Sequence, residues 1–135
     1  MLYLRVLSPD QSILDQEVDE VILPSTTGQL GILPNHVSLL AAIDIGVIRV
    51  RQSNDWMTIM VLGGFAEVES NEITVLVNAA EIGSNIDPLA AEKELDIAST
   101  AILKFDGLPT SPEKVKAQQA LLRARARLQA TKKDI

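Results

Sequence analysis

The apolar residues of this 135-residue chain change their spacing at Asp87-Pro88, and that change limits the folds open to it. Before the junction the spacing is two. Leu2, Leu4 and Val6 alternate with Tyr3 and Arg5, Ile48 and Val50 with Arg49 and Arg51, and Ile73, Val75 and Val77 with Thr74, Leu76 and Asn78. Each run fits a half-buried antiparallel strand. After the junction the steps are three and four: Ala91, Leu95, Ala98, Ile102 and Phe105, then Ala117, Leu121, Ala124 and Leu128. Those are the apolar stripes of two helices. Asp87 is an N-cap with Pro88 at the first helical position, Asp106-Gly107-Leu108-Pro109 is a stop, and Thr110-Ser111-Pro112-Glu113 starts a second helix. The pattern predicts an α+β fold, with an N-terminal antiparallel β-sandwich over residues 1–86 and a C-terminal antiparallel αα-hairpin over residues 87–135.

Turn chemistry divides the first part into short strands at Ser8-Pro9-Asp10, Ser53-Asn54-Asp55 and Ser70-Asn71. Pro24 and Pro34 are expected at strand ends. The run Met57-Thr58-Ile59-Met60-Val61-Leu62 predicts a strand covered on both faces, which Gly63-Gly64 then ends or bulges. Ser25 to His36, with Gly28, Gly31 and Pro34 in it, is expected to be a tightly shaped loop between strands. Both helix stripes are rich in alanine, so the hairpin buries little area and its docking is expected to be weak and conditional.

Composition narrows the chemistry. With no cysteine there is no disulfide framework, thiolate metal site or cysteine nucleophile. Aromatic residues make up only 3%, too few for a stacking platform for single-stranded nucleic acid. The longest apolar stretch, Trp56 to Ala66, is far short of the roughly 20 residues a membrane-spanning helix needs. Met1-Leu2-Tyr3-Leu4-Arg5-Val6 enters strand alternation at once, with neither a secretory nor a transit pattern, so a mature form is expected. The net charge of −6 hides an asymmetry: residues 1–86 carry 3 basic against 11 acidic groups, and residues 87–135 carry 9 against 7. Two halves of opposite sign suit different partners.

Three constellations invite a chemical role. His36 is the single histidine, and without a second histidine, a cysteine or a triad spacing it is expected to be a local hydrogen-bonding or partner-contacting residue. Gly28 and Gly31 after Thr26-Thr27 could cradle a phosphate, but the Gly-Lys-Ser/Thr element and the following helix are missing. Arg123-Ala124-Arg125-Ala126-Arg127 is the strongest charge feature. At about 100° per residue, Lys116, Arg123 and Arg127 share one helix face, roughly opposite Leu121 and Leu128, with Arg125 near the edge of that stripe. Such a face is ordinarily solvated; on a detachable helix in an acidic chain it is placed to seek an acidic protein surface, and the low pI argues against nucleic acid.

Along its whole length the chain resembles the epsilon subunit of rotary proton-translocating ATP synthases. The residues that carry the likeness are Gly28-Gln29-Leu30-Gly31-Ile32-Leu33-Pro34-Asn35-His36, Gly63-Gly64-Phe65-Ala66-Glu67-Val68, Ile73 to Asn78, Ala79-Ala80-Glu81, Ile86-Asp87-Pro88 and the arginine run. The forms of cyanobacteria and chloroplasts are the most similar. The resemblance implies a non-catalytic subunit of the central stalk at a thylakoid-type membrane, on the stromal or cytoplasmic side, peripheral and held there through the complex. It implies that the sandwich binds the gamma subunit and meets the membrane c-ring through Gln29, Leu30, Gly31, Ile32, Leu33, Pro34 and His36. It further implies that the second helix, through Lys116, Arg123, Arg125 and Arg127, meets the catalytic beta and alpha subunits and brakes ATP hydrolysis.

No cofactor is implied. Some members of the family bind ATP through Ile/Leu-Asp-x-x-Arg-Ala on the first helix, and here Leu95-Asp96-Ile97-Ala98-Ser99-Thr100 has Ser99 at the arginine position, so tight nucleotide binding is not expected. A stand-alone β-sandwich module for carbohydrate or small ligands is the competing function, and the scarcity of Tyr, Trp and Phe weighs against it.

Overall fold

The computed structural model describes residues 1–132, so the last three residues of the predicted helical segment lie outside the described residues. Eight strands come first: β1 (Leu2–Ser8), β2 (Gln11–Val18), β3 (Glu20–Ser25), β4 (Gly28–Ile32), β5 (Leu39–Gln52), β6 (Asp55–Glu69), β7 (Glu72–Val77) and β8 (Ala80–Ile82). A single 3₁₀ turn at Gly83–Asn85 leads into α1 (Pro88–Ile102), and α2 (Pro112–Ala130) follows after a second 3₁₀ turn. The predicted architecture of a sandwich followed by an αα-hairpin is the one observed.

The strands hydrogen-bond in the order β2-β1-β7-β6-β5-β3-β4, with β8 added on β6. Two long strands, β5 with 14 residues and β6 with 15, run through both layers. Residues 64–69 of β6 pair with β7, whereas residues 59–61 pair with β8. The change of layer falls at Gly63 and Gly64, which take φ of +90° and +154°. A Cβ on Gly64 would lie 1.9 Å from the Leu76 carbonyl oxygen, so only glycine can stand there. The strand neither stops nor bulges at the glycines, as the sequence pattern had allowed. Ile43↔Gly64 and Ile45↔Leu62 keep one register across the bend.

One pairing departs from the expected antiparallel sheets: β1 lies parallel to β7, with Leu4 opposite Ile73 and Val6 opposite Val75. The five intervening strands make the crossover that a parallel pair requires.

The core lies between the layers. Leu2, Leu4 and Val6, Val21 and Leu23, Ile48 and Val50, Ile59 and Val61, and Ile73, Val75 and Val77 all point inward, as period-two alternation requires. The other face of β5 and β6 builds a second, smaller cluster, in which Met60 packs with Ile86, Ala91, Ala126 and Ala130 and with the half-buried Ile45, Val47, Leu62 and Leu128. The hairpin sits on that face. Residues 57–62 of β6 are therefore covered from both sides, Ile59 and Val61 by the core, Thr58 and Met60 by the helices.

Both helix starts use the expected caps. The Asp87 side chain accepts from the Leu89 N–H at 3.1 Å, and the Ser111 hydroxyl from the Lys114 N–H at 3.1 Å.

Candidate functional site

The glycine-rich segment divides into three parts, and only the last is a loop of any length. Ser25 closes β3; its hydroxyl donates to the Gly28 carbonyl at 2.6 Å and accepts from the Thr27 N–H at 3.3 Å. This makes Thr26-Thr27 a tight hairpin turn with Gly28 at a φ of +125°. Gly28–Ile32 is then strand β4, paired with β3 from Ser25↔Gly28 to Val21↔Ile32. The expectation of a continuous loop fails because the partner that satisfies this backbone, β3, precedes it across only two residues. Pro24 sits next to the C-terminal end of β3, opposite Gln29.

Residues 33–38 are the true loop. Asn35, at a φ of +68°, donates its N–H to the Asn71 side chain at 2.6 Å, which ties the loop to the β6–β7 turn. The His36 ring Nδ1 lies 2.8 Å from the Val37 carbonyl oxygen, a local contact. Of the residues expected at the ring, Gln29, Gly31, Leu33 and Pro34 are exposed and Leu30 and His36 are half-buried. Ile32 is a correction: its side chain has no exposure and belongs to the core.

A surface that sequence reasoning missed lies on the outer side of the β1–β7–β6–β5 layer. Ala42 stands opposite Phe65, Phe65 opposite Leu76, and Leu76 opposite Leu7, forming one apolar row across four strands. Phe65 is 59% exposed and Leu76 55%, and Leu40 near the end of β5 is 72% exposed. Contiguous apolar surface of this kind marks a protein contact. The signal was available in β7, where Leu76 occupies a position that alternation assigns to the polar face.

The basic helix is turned differently from the expectation. Lys116, Arg123 and Arg127 do share a face of α2, but that face looks at the sandwich. At its C-terminal end it is in contact. Arg127 donates two hydrogen bonds to the Glu81 carboxylate, Nε at 3.1 Å and Nη2 at 2.9 Å, and Nη1 donates to Glu94 of α1. The bonds to Glu81 and then to Glu94 raise the pKa of Arg127 above its ordinary value. The Thr58 hydroxyl donates to the Ala130 carbonyl, and Arg49 donates to the Lys132 carbonyl at 3.1 Å.

Toward its N-terminal end α2 stands off. Ile45, Leu62 and Asn78 of the sandwich and Lys116, Ala117, Ala120 and Arg123 of the helix line an open cleft of about 730 Å³. Neither Lys116 nor Arg123 forms an ion pair among the described residues. Arg125 alone of the arginines lies on the outer side, exposed.

Glu81, noted in the sequence only as part of the family likeness, and Glu94 were not expected to pair with Arg127. Glu94 lies three residues past Ala91 on the packed side of α1, and a charge there signals a partner. The segment Leu95–Thr100 is mid-helix, with Asp96, Ser99 and Thr100 exposed. Ile86-Asp87-Pro88-Leu89-Ala90-Ala91 fits the nucleotide pattern more closely, and there Asp87 is the helix cap and Ala90 stands at the arginine position. Among the described residues no group of His, Cys, Asp and Glu is arranged to hold a metal ion, and no helix is long and apolar enough to cross a membrane.

These features define a class: a β-sandwich with an exposed apolar face, joined to a helical hairpin that turns Lys116, Arg123 and Arg127 toward the sandwich and Arg125 outward. The chain matches the family descriptions "ATP synthase, Delta/Epsilon chain, beta-sandwich domain" over residues 1–83 and "ATP synthase, Delta/Epsilon chain, long alpha-helix domain" over residues 84–132. It is 64% identical over 131 residues to an ATP synthase epsilon chain of Synechococcus sp. strain CC9311, covering 97% of each chain. It is 57% identical over 131 residues to one of Prochlorococcus marinus strain MIT 9303, covering 97% of this chain and 98% of that one. Among solved structures it is similar to a chain of the Euglena gracilis mitochondrial ATP synthase with a TM-score of 0.80, at 22% identity, covering 96% of this chain and 80% of that one. A chain in the central stalk and c-ring structure of the Tetrahymena thermophila enzyme gives 0.63 at 15% identity, covering 97% and 96%. The chain belongs to the delta/epsilon chain family of ATP synthases, as an epsilon chain, a non-catalytic subunit.

Proposed function

We propose that the chain couples the gamma subunit to the membrane c-ring in the rotor of a proton-translocating ATP synthase, and that its hairpin brakes ATP hydrolysis. The observation that carries this is the division of surfaces. The apolar row of Leu40, Phe65 and Leu76 fits a permanent protein neighbour, which we assign to gamma. The exposed edge from Gln29 to His36 lies on a rigid sandwich, as a coupling contact must. Within that edge Gln29, Gly31, Leu33 and Pro34 are the residues offered to the ring, with Leu30 and His36 behind them, and Ile32 anchors the segment from inside.

The brake is α2. Lys116, Arg123, Arg125 and Arg127 give it the charge to bind an acidic segment of a catalytic beta or alpha subunit once the hairpin leaves the sandwich. Exchange between a docked and an extended hairpin requires only that the partner's differential affinity be a few kcal/mol. The identities to Synechococcus and Prochlorococcus chains support a thylakoid-type membrane, with the chain on its stromal or cytoplasmic side. Replacing Arg123, Arg125 and Arg127 together by glutamate is expected to raise ATP hydrolysis by the assembled complex. Unchanged hydrolysis with the subunit still bound would remove the brake from this reading.

A further inference from the structure

We propose that docking masks Arg127, taking it out of the basic face of α2, with Glu81 and Glu94 holding it in place of an external acidic partner, while Lys116 and Arg123 stay exposed. This rests on the reading of α2 as the brake and specifies how that brake is kept off. The face bearing Lys116, Arg123 and Arg127 is turned toward a sandwich whose segment, residues 1–86, carries 3 basic and 11 acidic groups. At one end of the face Arg127 is bound by two carboxylates from two elements, one on β8 and one on α1. An arginine held bidentately by one carboxylate and singly by another offers few donors to anything else. The same end carries the Thr58–Ala130 and Arg49–Lys132 hydrogen bonds. At the other end the cleft beneath Lys116 and Arg123 leaves the helix unfastened. The hairpin is thus pinned at its base and loose toward its tip, and the Arg127 contact must break before Arg127 can join Arg123 on an external partner.

The proposal makes a prediction opposite in sign to loss of the arginines. Glu81→Gln with Glu94→Gln removes the internal carboxylates and leaves every cation of α2 in place. The chain has no cysteine, so Glu69→Cys and Gln118→Cys give two unique spin-label sites, one on the sandwich and one on the helix. In the full-length subunit the label separation is expected to be a single docked population. A longer-distance population should grow several-fold in the double glutamine variant, and in the parent as potassium chloride is raised. Circular dichroism should show the same β-sheet content in both, so that the separation is not a loss of the sandwich. Arg127→Gln should release the labels as well, and Arg125→Glu, on the outer side, should not.

In the assembled complex the double glutamine variant should hydrolyse ATP more slowly than the parent. If the labels stay docked in both the double variant and Arg127→Gln, the mask is refuted. If they separate while hydrolysis is unchanged, the mask stands and the brake assignment falls.

Discussion

Gly83 occupies a place that no larger residue can take. A Cβ built there would lie 1.9 Å from the Thr58 hydroxyl oxygen and 2.2 Å from the Ala130 carbonyl oxygen, so the last turn of α2 reaches the sandwich only over a bare backbone. Gly83→Ala is expected to push that turn away and cost about 1–3 kcal/mol of docking. Hydrogen exchange would report it as lost protection in α2 with β1 and β7 unchanged. In β1, Tyr3 donates to Asp15 of β2, and that bond, then burial, then the charge of Asp15 raise its pKa above 10.0. The neutral phenol is the form the fold favours. Its contribution is therefore complete below the ordinary tyrosine value and is lost as pH rises through the higher folded one. Because the chain has a single tyrosine, ultraviolet titration reads it directly; Asp15→Asn should bring the midpoint down toward the ordinary value.

Element by element, local chemistry was legible in the sequence and long-range partnership was not. Asp87 and Ser111 declare helix starts because a cap acts on residues two or three away. Asp87→Ala should cost about 1 kcal/mol and fray the first turn of α1, seen as faster amide exchange at Leu89. β4 was unreadable for the opposite reason: two glycines in five residues carry no strand signal of their own, and the pairing comes from β3. In α2 the leucine stripe was visible, but Ala126 and Ala130 gave no hint that a second side is also buried. Alanine marks a close approach without saying to what. The same blindness placed Arg127 on open solvent, since neither Glu81 nor Glu94 lies near it in sequence.

For the molecule as a whole, two clusters imply two units of unequal independence. The interlayer core draws its buried residues from strands β1 to β7 alone. A fragment of residues 1–86 is therefore expected to fold with the β signature of the parent, whereas the hairpin, whose buried helix residues among those described are all alanine, should not hold its structure alone. The fragment should also bind a hydrophobic dye more strongly, because Ile45, Val47, Met60 and Leu62 lose their cover. Circular dichroism and dye fluorescence on the fragment check both expectations. In the complex it should keep its place in the stalk and lose the brake.

The two long strands add a mechanical consequence. Leu39 to Gln52 is hydrogen-bonded to Asp55 to Glu69 along nearly its full length, and Leu39 directly follows the loop of residues 33–38. A force entering at that loop and drawn along β5 loads the rungs of this ladder in shear, all at once, instead of opening them one by one. Both layers share those two strands, so there is no seam between them at which the load could slip. Under the proposed coupling role, such a sandwich would carry a turning moment as a single stiff piece, with the helices packed on β5 and β6 out of the line of force.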